Sequence, residues 1–523
     1  MDPALRHAYV AARYVVETSE PITLKVGCVS EGLDAQLSRD GATRWAWLTA
    51  VNPGSVVLDA AENRDRLERL DAALREAGWR SYPGWSSDPE GRLAPEPSRL
   101  VVGMSASEAR TLASTFGQTA ILVGEVGGPV RLLACKESAS DGIATSAIHA
   151  GEPSPRIGRA AIPPIFQSVV YEHAETGDDK TVLYPRYGNL PNHDAVHARL
   201  AALEGADDAH VTASGMAAVS AALLAATQPG GRVLLQRDLY GGTWAFVTRD
   251  LVEMGRSVTF VDAMQPGAFD AAWSPDVQAV YVEAMTNPLL RVVDHEAVIA
   301  FARARAVVAI LDGTFVPPVL WKPCRLGYDL VVHSATKFLN GHSDLTAGVV
   351  VGRAALMEKV RGVVRRLGGS LDALNVWLLE RGMKTLPLRV ERACDNALRL
   401  ALELASHRDV AAVHHVALPS HPDAAVARRL FGGRAALLAF EHRGGGAAAA
   451  AWLDALDLVT HGPSLGGVET LAVRPVTTSH RGVPPSERAA MGIHDGLIRV
   501  AVGIEEASDI WNDMRAAFAA VSP

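Results

Sequence analysis

Four short apolar runs rich in valine recur between residues 233 and 333, and longer helical segments separate several of them. The runs cover residues 233–236, 279–283, 307–311 and 330–333. Parallel strands need long crossover connections, and a sheet covered on both faces needs strands that are apolar throughout. The alternation therefore predicts an α/β domain with a mainly parallel central sheet.

A small polar stretch, KESASDG at residues 136–142, precedes this region. Such a stretch between two patterned regions is typical of a linker. The chain beyond residue 380 holds more helix and then strand-like runs at residues 436–440 and 497–502. We therefore predict four parts: a small α+β domain at 1–135, a linker at 136–142, a large domain at 143–380 and a C-terminal α+β subdomain at 381–523.

The first domain carries its own helix signals. Leucines at helical spacing predict a helix over residues 61–77, and Gly78 stands where a C-terminal cap is expected. Ser105 and Glu108 form the capping-box pattern at the start of a second helix. These signals predict that the first domain has helices and strands of its own.

Two tryptophans of this domain, Trp45 and Trp47, could line a pocket. Aromatic side chains in such strands are more often packed in a core, and we interpret both as packing. No catalytic constellation is evident in this part of the sequence.

The charge of the chain argues against nucleic acid as a partner. Its 523 residues have a net charge of -8, and basic residues are interleaved with acidic ones, so no broad basic field forms. No run reaches the ~18 apolar residues of a membrane span, and the N-terminus lacks the pattern of a secretory signal. The four cysteines are far apart and lack metal-ligand spacing, which predicts reduced thiols, no metal and a cytoplasmic location.

The most informative stretch is DLVVHSATKFLNGHSD at residues 329–344, where a strand runs into a polar turn. The turn holds Ser334, Thr336 and Lys337. At the carboxyl end of a parallel strand, it faces the ligand crevice of an open α/β sheet. A lone lysine is usually an exposed surface residue, but a lysine flanked by hydroxyls at this position predicts chemistry.

Three further features fit a flat, phosphate-bearing cofactor. ASGMA at residues 213–217 opens a helix, and the backbone amides of Gly215 and Met216 could bind phosphate there, although Ser-Gly is often only a cap. Asp312 ends a strand and is placed to pair with a protonated ring nitrogen; a turn residue is the alternative. Tyr240 also follows a strand end, where its ring could stack on the cofactor or simply be buried.

Together these motifs resemble the Cys/Met-metabolism family of pyridoxal-phosphate (PLP) enzymes, from Ser146 to Phe518. The S-x-T-K-F-L-x-G-H motif at 334–342 is highly specific. Six more motifs agree: YPR at 184–186, SGM at 214–216, YGGT at 240–243, TNP at 286–288, DGTF at 312–315 and SLGGVETL at 464–471. The resemblance implies a fold type I, aspartate aminotransferase-like fold. The first domain resembles a bacterial family of unknown function through NPGSVVL at 52–58 and FGQTAILVGE at 116–125.

The resemblance also assigns roles within the large domain. Lys337 is expected to bond to pyridoxal 5'-phosphate and to move protons, with Asp312 on the ring nitrogen and Tyr240 stacked on the ring. These three are the expected catalytic residues. The expected phosphate ligands are Gly215, Met216, Ser334 and Thr336.

Two further sets of residues follow from the same resemblance. Tyr184 and Arg186 look like the pair that reaches the phosphate from a neighbouring subunit, which implies a homo-oligomer of active-site dimers, with a tetramer as the expected state. Arg499, with Ser464 and Asn287, resembles the clamp for the carboxylate of a small amino-acid substrate, a task that suits the planar guanidinium group.

Several local motifs most resemble one branch of the family, the plant-type cystathionine γ-synthases. DGTF, GPSLGG and residues 367–390 carry this likeness. It predicts γ-replacement, in which L-cysteine joins an O-activated homoserine to form cystathionine. Alternatives are a cystathionine or methionine lyase, an O-acylhomoserine sulfhydrylase, or a non-catalytic regulatory protein. The chain departs from the family at LPNH after Asn189 and at Pro463, where a glutamate that selects substrates is frequent.

Overall fold

The computed structural model of the chain describes residues 8–55, 58–88, 95–135, 142–153, 156–172, 182–482 and 484–521. The chain divides into two compact units, Met1–Asp141 and Gly142–Pro523. The predicted linker at 136–142 lies outside the described residues except for Gly142. The further division of the second unit near residue 380 stays a prediction.

The first unit is built on one seven-stranded sheet in the order β2-β1-β4-β5-β3-β6-β7. Every neighbouring pair in this sheet is antiparallel. Its strands are β1 Arg13–Val16, β2 Ile22–Leu24, β3 Arg44–Leu48, β4 Ser81–Ser87, β5 Glu96–Val102, β6 Ala120–Glu125 and β7 Arg131–Ala134. Its helices are α1 Glu31–Arg39, α2 Ala60–Glu76 and α3 Ala106–Thr115.

The two helices predicted in this unit from local sequence are present in the structure. Helix α2 matches the predicted helix to within one residue, and Gly78 follows its end with a φ of 73°. Helix α3 begins with the predicted capping box, in which Ser105 and Glu108 each bond the other's backbone amide. Both helix predictions are confirmed.

The two tryptophans of β3 pack in the core, as predicted. Trp45 and Trp47 are almost fully buried and share a cluster with Leu33 and Leu37 of α1. The alternate residues of the strand face the opposite cluster, which includes residues of α2 and α3. The period-two alternation of a strand thus separates two apolar layers around the sheet.

The second unit contains a seven-stranded sheet in the order β10-β9-β11-β12-β13-β14-β8. The first five strands in this order pair in parallel. Strand β14 pairs antiparallel with β13 on one side and with β8 on the other. The strands are β8 Asp208–Thr212, β9 Arg232–Gln236, β10 Ser257–Val261, β11 Val277–Glu283, β12 Val308–Asp312, β13 Leu330–Ser334 and β14 Gly348–Gly352. The predicted mainly parallel sheet is confirmed, and each of the four predicted runs is a strand.

Helices connect and cover these strands. They are α4 Ile143–His149, α5 Pro191–Glu204, α6 Gly215–Ala226, α7 Gly241–Thr248, α8 Asp250–Glu253, α9 Ala268–Ala271, α10 His295–Arg305, α11 Pro323–Leu326, α12 Ala354–Leu367 and α13 Ala373–Met383. Large apolar clusters lie on both faces of the sheet, as the continuous apolar strands require.

Beyond these helices the chain forms a second, five-stranded sheet in the order β15-β16-β19-β18-β17. Its strands are β15 Val410–His414, β16 Leu437–His442, β17 Thr460–His461, β18 Leu471–Val473 and β19 Leu497–Ala501. The accompanying helices are α14 Leu386–Ala405, α15 Ala424–Phe431, α16 Gly445–Asp454, α17 Pro485–Ala490 and α18 Ala507–Val521. Across the described ranges, no helix has the length and apolar character needed to cross a membrane.

Candidate active site

A cavity of about 560 Å³ opens at the carboxyl ends of the parallel strands. This is the edge at which open α/β sheets bind ligands, because every parallel strand ends there. Of the residues predicted from the sequence, those that line the cavity are Gly215, Met216, Tyr240, Asn287, Asp312, Ser334, Thr336, Lys337, Ser464 and Arg499. Tyr184 and Arg186 do not line it.

Lys337 lies in the turn that follows β13, as the sequence predicts. Its Nζ donates a hydrogen bond of 2.6 Å to the Ser464 hydroxyl. Burial lowers the pKa of Lys337, and the nearby positive charge of Arg499 lowers it further. This amine is therefore easier to deprotonate than an exposed lysine.

Arg499 lies on β19 and also lines the cavity. Its guanidinium donates to Asn287 Oδ1 at 3.1 Å and to the Ser464 carbonyl at 2.9 Å. Burial lowers the pKa of Arg499 to about 10. Within the described part of the chain its Nε is buried without a hydrogen-bond partner. A buried guanidinium held by neutral groups favours binding of a carboxylate.

Asp312 closes β12 directly below the cavity. Its Oδ1 accepts a hydrogen bond of 2.9 Å from the Thr314 amide, and its Oδ2 accepts one of 3.2 Å from the Tyr281 hydroxyl. Donors on both oxygens fix the plane of the carboxylate, so it can present a constant acceptor to a ring N–H.

The start of helix α6 forms a narrow cradle. The Ser214 hydroxyl accepts from the Ala217 amide at 3.1 Å, and the earlier amides of the first turn have no acceptor within the helix. A side chain at position 215 would come within 2.8 Å of Ser334 Cβ, so only glycine fits there. Backbone amides, a close approach and the positive end of a helix suit a phosphate group.

The two hydroxyl groups predicted as phosphate ligands differ in their surroundings. Ser334 lines the cavity beside Gly215. Thr336 also lines it, but its hydroxyl donates to the Ala347 carbonyl at 3.1 Å and accepts from the Ala347 amide at 3.0 Å. Ser334 is therefore the better placed donor of the two.

Tyr240 is not an ordinary buried tyrosine, because 51% of its surface is exposed where it lines the cavity. It precedes helix α7, and its amide donates to Glu283 Oε1 at 2.6 Å. A side chain at position 242 would come within 2.6 Å of the Tyr240 ring, so Gly242 lets the ring lie where it does.

Arg186 lies in a short 3-10 segment, Pro185–Tyr187, and Tyr184 directly precedes that segment; neither residue lines the cavity of its own chain. The Arg186 guanidinium donates to the Arg365 carbonyl at 2.7 Å and lies against the Tyr184 ring. Asn189, directly before the LPNH departure, accepts from the Tyr184 amide through its Oδ1 at 3.0 Å. Their action in a neighbouring subunit stays a prediction.

The glycine of DGTF has a packing explanation. A side chain at position 313 would come within 2.4 Å of the His333 ring, whose Nε2 bonds Glu204 Oε1 at 2.6 Å. Gly313 therefore accommodates His333 and carries little information about the reaction. Pro463, in contrast, lines the cavity.

Several cavity residues escaped the sequence analysis, and Glu283 is the most significant. It ends β11, and its partner in the parallel register is Asp312. Its position at the carboxyl end of a predicted strand was the available signal. Other lining residues that were missed are Val219, Met285, Thr346, Thr478 and Ser479. Four more lie in motifs that the sequence analysis named but were given no role there: Ser214, Thr314, Phe315 and Leu465.

Comparison with known proteins agrees with this site. Residues 144–519 match the family described as Cys/Met metabolism PLP-dependent enzyme, and residues 48–121 match a family described as a protein of unknown function (DUF3293). L-methionine gamma-lyase of Pseudomonas putida is 37% identical over 72% of this chain and 98% of its own length. O-succinylhomoserine sulfhydrylase of Pseudomonas aeruginosa is 37% identical over 65% of this chain and 84% of its own length.

A solved structure of cystathionine gamma synthase from Xanthomonas oryzae pv. oryzae is also similar. It is 36% identical, with a TM-score of 0.70, over 72% of this chain and 98% of its own. The second unit is therefore a PLP-dependent enzyme of fold type I. More particularly, the chain belongs to the Cys/Met metabolism family of PLP-dependent enzymes, and its first unit carries the domain of unknown function.

Proposed function

We propose that the cavity binds an amino acid beside PLP and removes the substituent at its Cγ. The observation that carries this proposal is the double role of Ser464, whose hydroxyl accepts from Lys337 and whose carbonyl accepts from Arg499. One residue thereby fixes the distance between a proton-transfer group and a carboxylate clamp. Such fixed spacing is what positions a substrate for reaction.

The residues that would hold PLP are those of the cradle and the strand ends. Lys337 would bond to it, the amides of Gly215 and Met216 with Ser334 would bind its phosphate, and Asp312 would accept from its ring nitrogen. When bound, PLP supplies an electron sink that stabilises negative charge at Cα and Cβ of the substrate. The tight fit at Gly215 and the fixed carboxylate of Asp312 support these assignments.

Lys337 and Arg499 would divide the work on the substrate. Arg499 would hold the α-carboxylate through the two parallel N–H groups of its guanidinium, with Asn287 beside it. Lys337 would take and return protons near Cα, a role that its lowered pKa favours. Arg499 is buried, which strengthens its electrostatic effect on a bound carboxylate, whereas Lys337 is only partly buried.

The first candidate for the complete reaction is γ-replacement, in which cysteine adds at Cγ of an O-activated homoserine to give cystathionine. The motifs that resemble plant-type cystathionine γ-synthases support it, and so does the similarity to a cystathionine gamma synthase. The second candidate is a γ-lyase, which releases the γ-substituent without adding cysteine. The similarity to L-methionine gamma-lyases supports this alternative.

The GPSLGG motif that contains Pro463 resembles the synthases, but the chemistry of a proline at this position in the cavity supports the lyase. Among the described residues that line the cavity, the charged types are Glu283, Asp312, Lys337 and Arg499. Asp312, Lys337 and Arg499 already have roles toward the cofactor or the substrate α-carboxylate, and Pro463 adds no charge where relatives often have glutamate. A second zwitterion such as cysteine therefore finds little to recognise it within this chain, whereas an uncharged side chain fits.

A direct assay separates the two reactions. The holoenzyme is offered methionine or cystathionine alone, and then O-acetyl-, O-succinyl- or O-phosphohomoserine with cysteine or with sulfide. Release of 2-oxobutanoate and a thiol from methionine or cystathionine supports the lyase; cystathionine from an ester plus cysteine supports the synthase; homocysteine from an ester plus sulfide supports a sulfhydrylase. Absence of all three products would refute chemistry at Cγ and favour a non-catalytic role.

The predicted role of Tyr184 and Arg186 makes the active unit a dimer. Arg186→Ala and Lys337→Ala variants would each be inactive alone. In a mixed dimer one site would combine an intact Lys337 with an intact Arg186, so random mixing should restore about a quarter of the wild-type activity. No recovery in a verified mixed dimer would refute the shared site. The predicted tetramer can be measured in the same samples by light scattering.

A further inference from the structure

Two carboxyl groups lie side by side at the base of the cavity. Glu283 ends β11 and Asp312 ends β12, and the two residues are partners in the parallel register. Both line the cavity. Parallel neighbouring strands lie roughly 4.8 Å apart, so two ionised carboxylates at these positions would repel one another strongly.

The hydrogen bonds of the two carboxyl groups differ. Asp312 receives the Thr314 amide on one oxygen and the Tyr281 hydroxyl on the other. Glu283 receives the Tyr240 amide at 2.6 Å, and its own amide donates to Gln236 Oε1 at 3.0 Å. Asp312 is therefore held as an acceptor, whereas Glu283 is tied to the backbone of the residue whose ring faces the cavity.

The charges around Glu283 favour its neutral form. Burial raises its pKa well above the ordinary value, and the negative charges of Asp312 and, to a lesser extent, Asp238 raise it further. The Tyr240 amide opposes this shift. On its own strand, the neighbour on the same side is Tyr281, whose pKa is also raised well above its ordinary value by burial. The cationic side chains among the described residues that line the cavity are Lys337 and Arg499, and both donate to Ser464.

We infer that Glu283 is a positioning residue: an uncharged carboxyl group that fixes Tyr240 over the cavity and leaves Asp312 as the carboxylate that faces the cofactor ring. This inference rests on the role proposed above for Asp312 and on the stacking of Tyr240 on the cofactor ring that the family resemblance implies. It assigns to Glu283 no contact with the substrate and no proton transfer. A neutral acid beside a charged one gives the ring nitrogen a single, oriented negative partner.

The test compares three substitutions in the full chain. Glu283→Gln keeps the shape and the acceptor for Tyr240 and cannot ionise. Glu283→Leu keeps similar volume but removes the acceptor. Glu283→Asp keeps the acid but withdraws it from the Tyr240 amide. The readouts are the equilibrium dissociation constant of PLP for the cofactor-free protein, the visible absorbance of the bound cofactor, and amide hydrogen exchange in the peptide that contains Tyr240.

We expect Glu283→Gln to bind PLP within about threefold of the wild type and to protect the Tyr240 amide equally, because a neutral acceptor suffices. Glu283→Leu and Glu283→Asp should each weaken PLP binding by about tenfold and speed exchange at Tyr240. Rescue by the neutral isostere but not by the shorter acid is the signature of this role. A group with a merely structural role would shift the unfolding temperature without this pattern in PLP affinity.

A matched control is Glu505→Gln. Glu505 Oε1 accepts from the Thr470 amide at 2.6 Å, the same length of bond, and does not line the cavity. This change should leave PLP affinity and Tyr240 exchange unaltered. Loss of tenfold or more in PLP affinity in Glu283→Gln, with Glu505→Gln normal, would overturn the inference by showing that the charge of Glu283 is needed. Unchanged PLP affinity and Tyr240 exchange in Glu283→Leu would overturn it as well.

Failure of this inference is distinguishable from failure of the proposed function. Borohydride reduction and peptide mapping of the wild-type protein report which lysine carries PLP. A cofactor on Lys337 together with a defective Glu283→Gln would overturn only the role of Glu283. A cofactor on another lysine would remove the proposed site, and Glu283 with it.

Discussion

Both units of this protein contain a seven-stranded sheet, and the cavity that gathers the predicted site residues opens at the sheet of the second unit. In the first unit every pair of strands is antiparallel, so strand ends of opposite direction alternate along each edge. In the second unit β9, β11, β12 and β13 are parallel and end at the same edge. Polar residues that follow buried strands are therefore gathered in one place only where the strands are parallel.

The two units also differ in what they bury. The first unit buries tryptophans and other apolar side chains on both faces of its sheet. The second unit buries acidic, basic and histidine side chains as well, among them Glu283, Arg499 and His295, whereas the ionisable side chains that the first unit buries include Tyr14 and Cys135. Buried ionisable groups cost stability and are retained where they serve chemistry or make specific hydrogen bonds. The difference predicts where mutations and acid should act.

The largest effect should come from Lys337→Ala. The variant should fold, because the turn lies at a crevice, but it should lack the visible absorbance of the bound cofactor and lose at least ~10³-fold in turnover. Absorption spectra and initial rates measure both. Lys322→Ala is a matched control, since Lys322 is also partly buried in the second unit and does not line the cavity. If Lys337→Ala retained turnover, the cavity at the parallel sheet would not be the catalytic site, and the comparison between the two sheets would fail.

The next largest effect should come from Arg499→Lys. This change keeps the positive charge but removes the bidentate guanidinium, so kcat/KM should fall by roughly 10²-fold while the cofactor spectrum stays intact. Arg389→Lys is the control, because Arg389 is also a buried arginine whose pKa is lowered to about 10, and it donates to backbone carbonyls outside the cavity. That variant should lose stability but keep its KM. Equal KM effects in both variants would refute the assigned role of Arg499.

A smaller effect should appear in acid, and only in the second unit. Residues 1–141 contain a single histidine, His7, whereas burial lowers the pKa of His210 to about 3 and of His295 to about 4. A histidine whose pKa is lower in the folded state takes up its proton in the unfolded chain first. Stability is therefore lost as the pH falls through about 6.5, by about 1.4 kcal/mol for each histidine between pH 7.5 and 5.5.

Hydrogen exchange of the cofactor-free chain, resolved by peptide and corrected for the intrinsic rate, measures this loss in each unit separately. Core peptides of β11 and β12 should become less protected at pH 5.5, while those of β3 and β5 should not. Equal loss in both units would show that the buried histidines are not its cause.

The smallest effect should follow removal of the first unit. Every described residue that lines the cavity lies between Ser214 and Arg499. A chain that begins near Asp141 should therefore retain PLP and keep kcat/KM within about twofold of the full chain. Loss of PLP from a soluble, oligomeric truncation would show that the first unit contributes to the site, and the comparison between the two units would then fail.

The sequence alone determined much of this architecture. Valine-rich runs with helices between them predicted the parallel sheet, because a strand buried on both faces must be apolar throughout. The capping box at Ser105 and the helix before Gly78 could also be predicted, because helix caps depend on hydrogen bonds between residues close in sequence. The turn that holds Lys337 was recognisable because its motif is continuous in the chain.

Only the tertiary structure decided which side chains act on one another across the sheet. Glu283 and Asp312 are separated in sequence but adjacent in register, and nothing local to either residue reveals the pairing. Ser464 likewise joins Lys337 to Arg499 although the three come from distant segments. Gly313, which resembled a marker of reaction type, proved to accommodate the His333 ring. Strand formation depends on local pattern, whereas register and side-chain contact depend on how distant segments pack, and that packing gives Glu283 its environment.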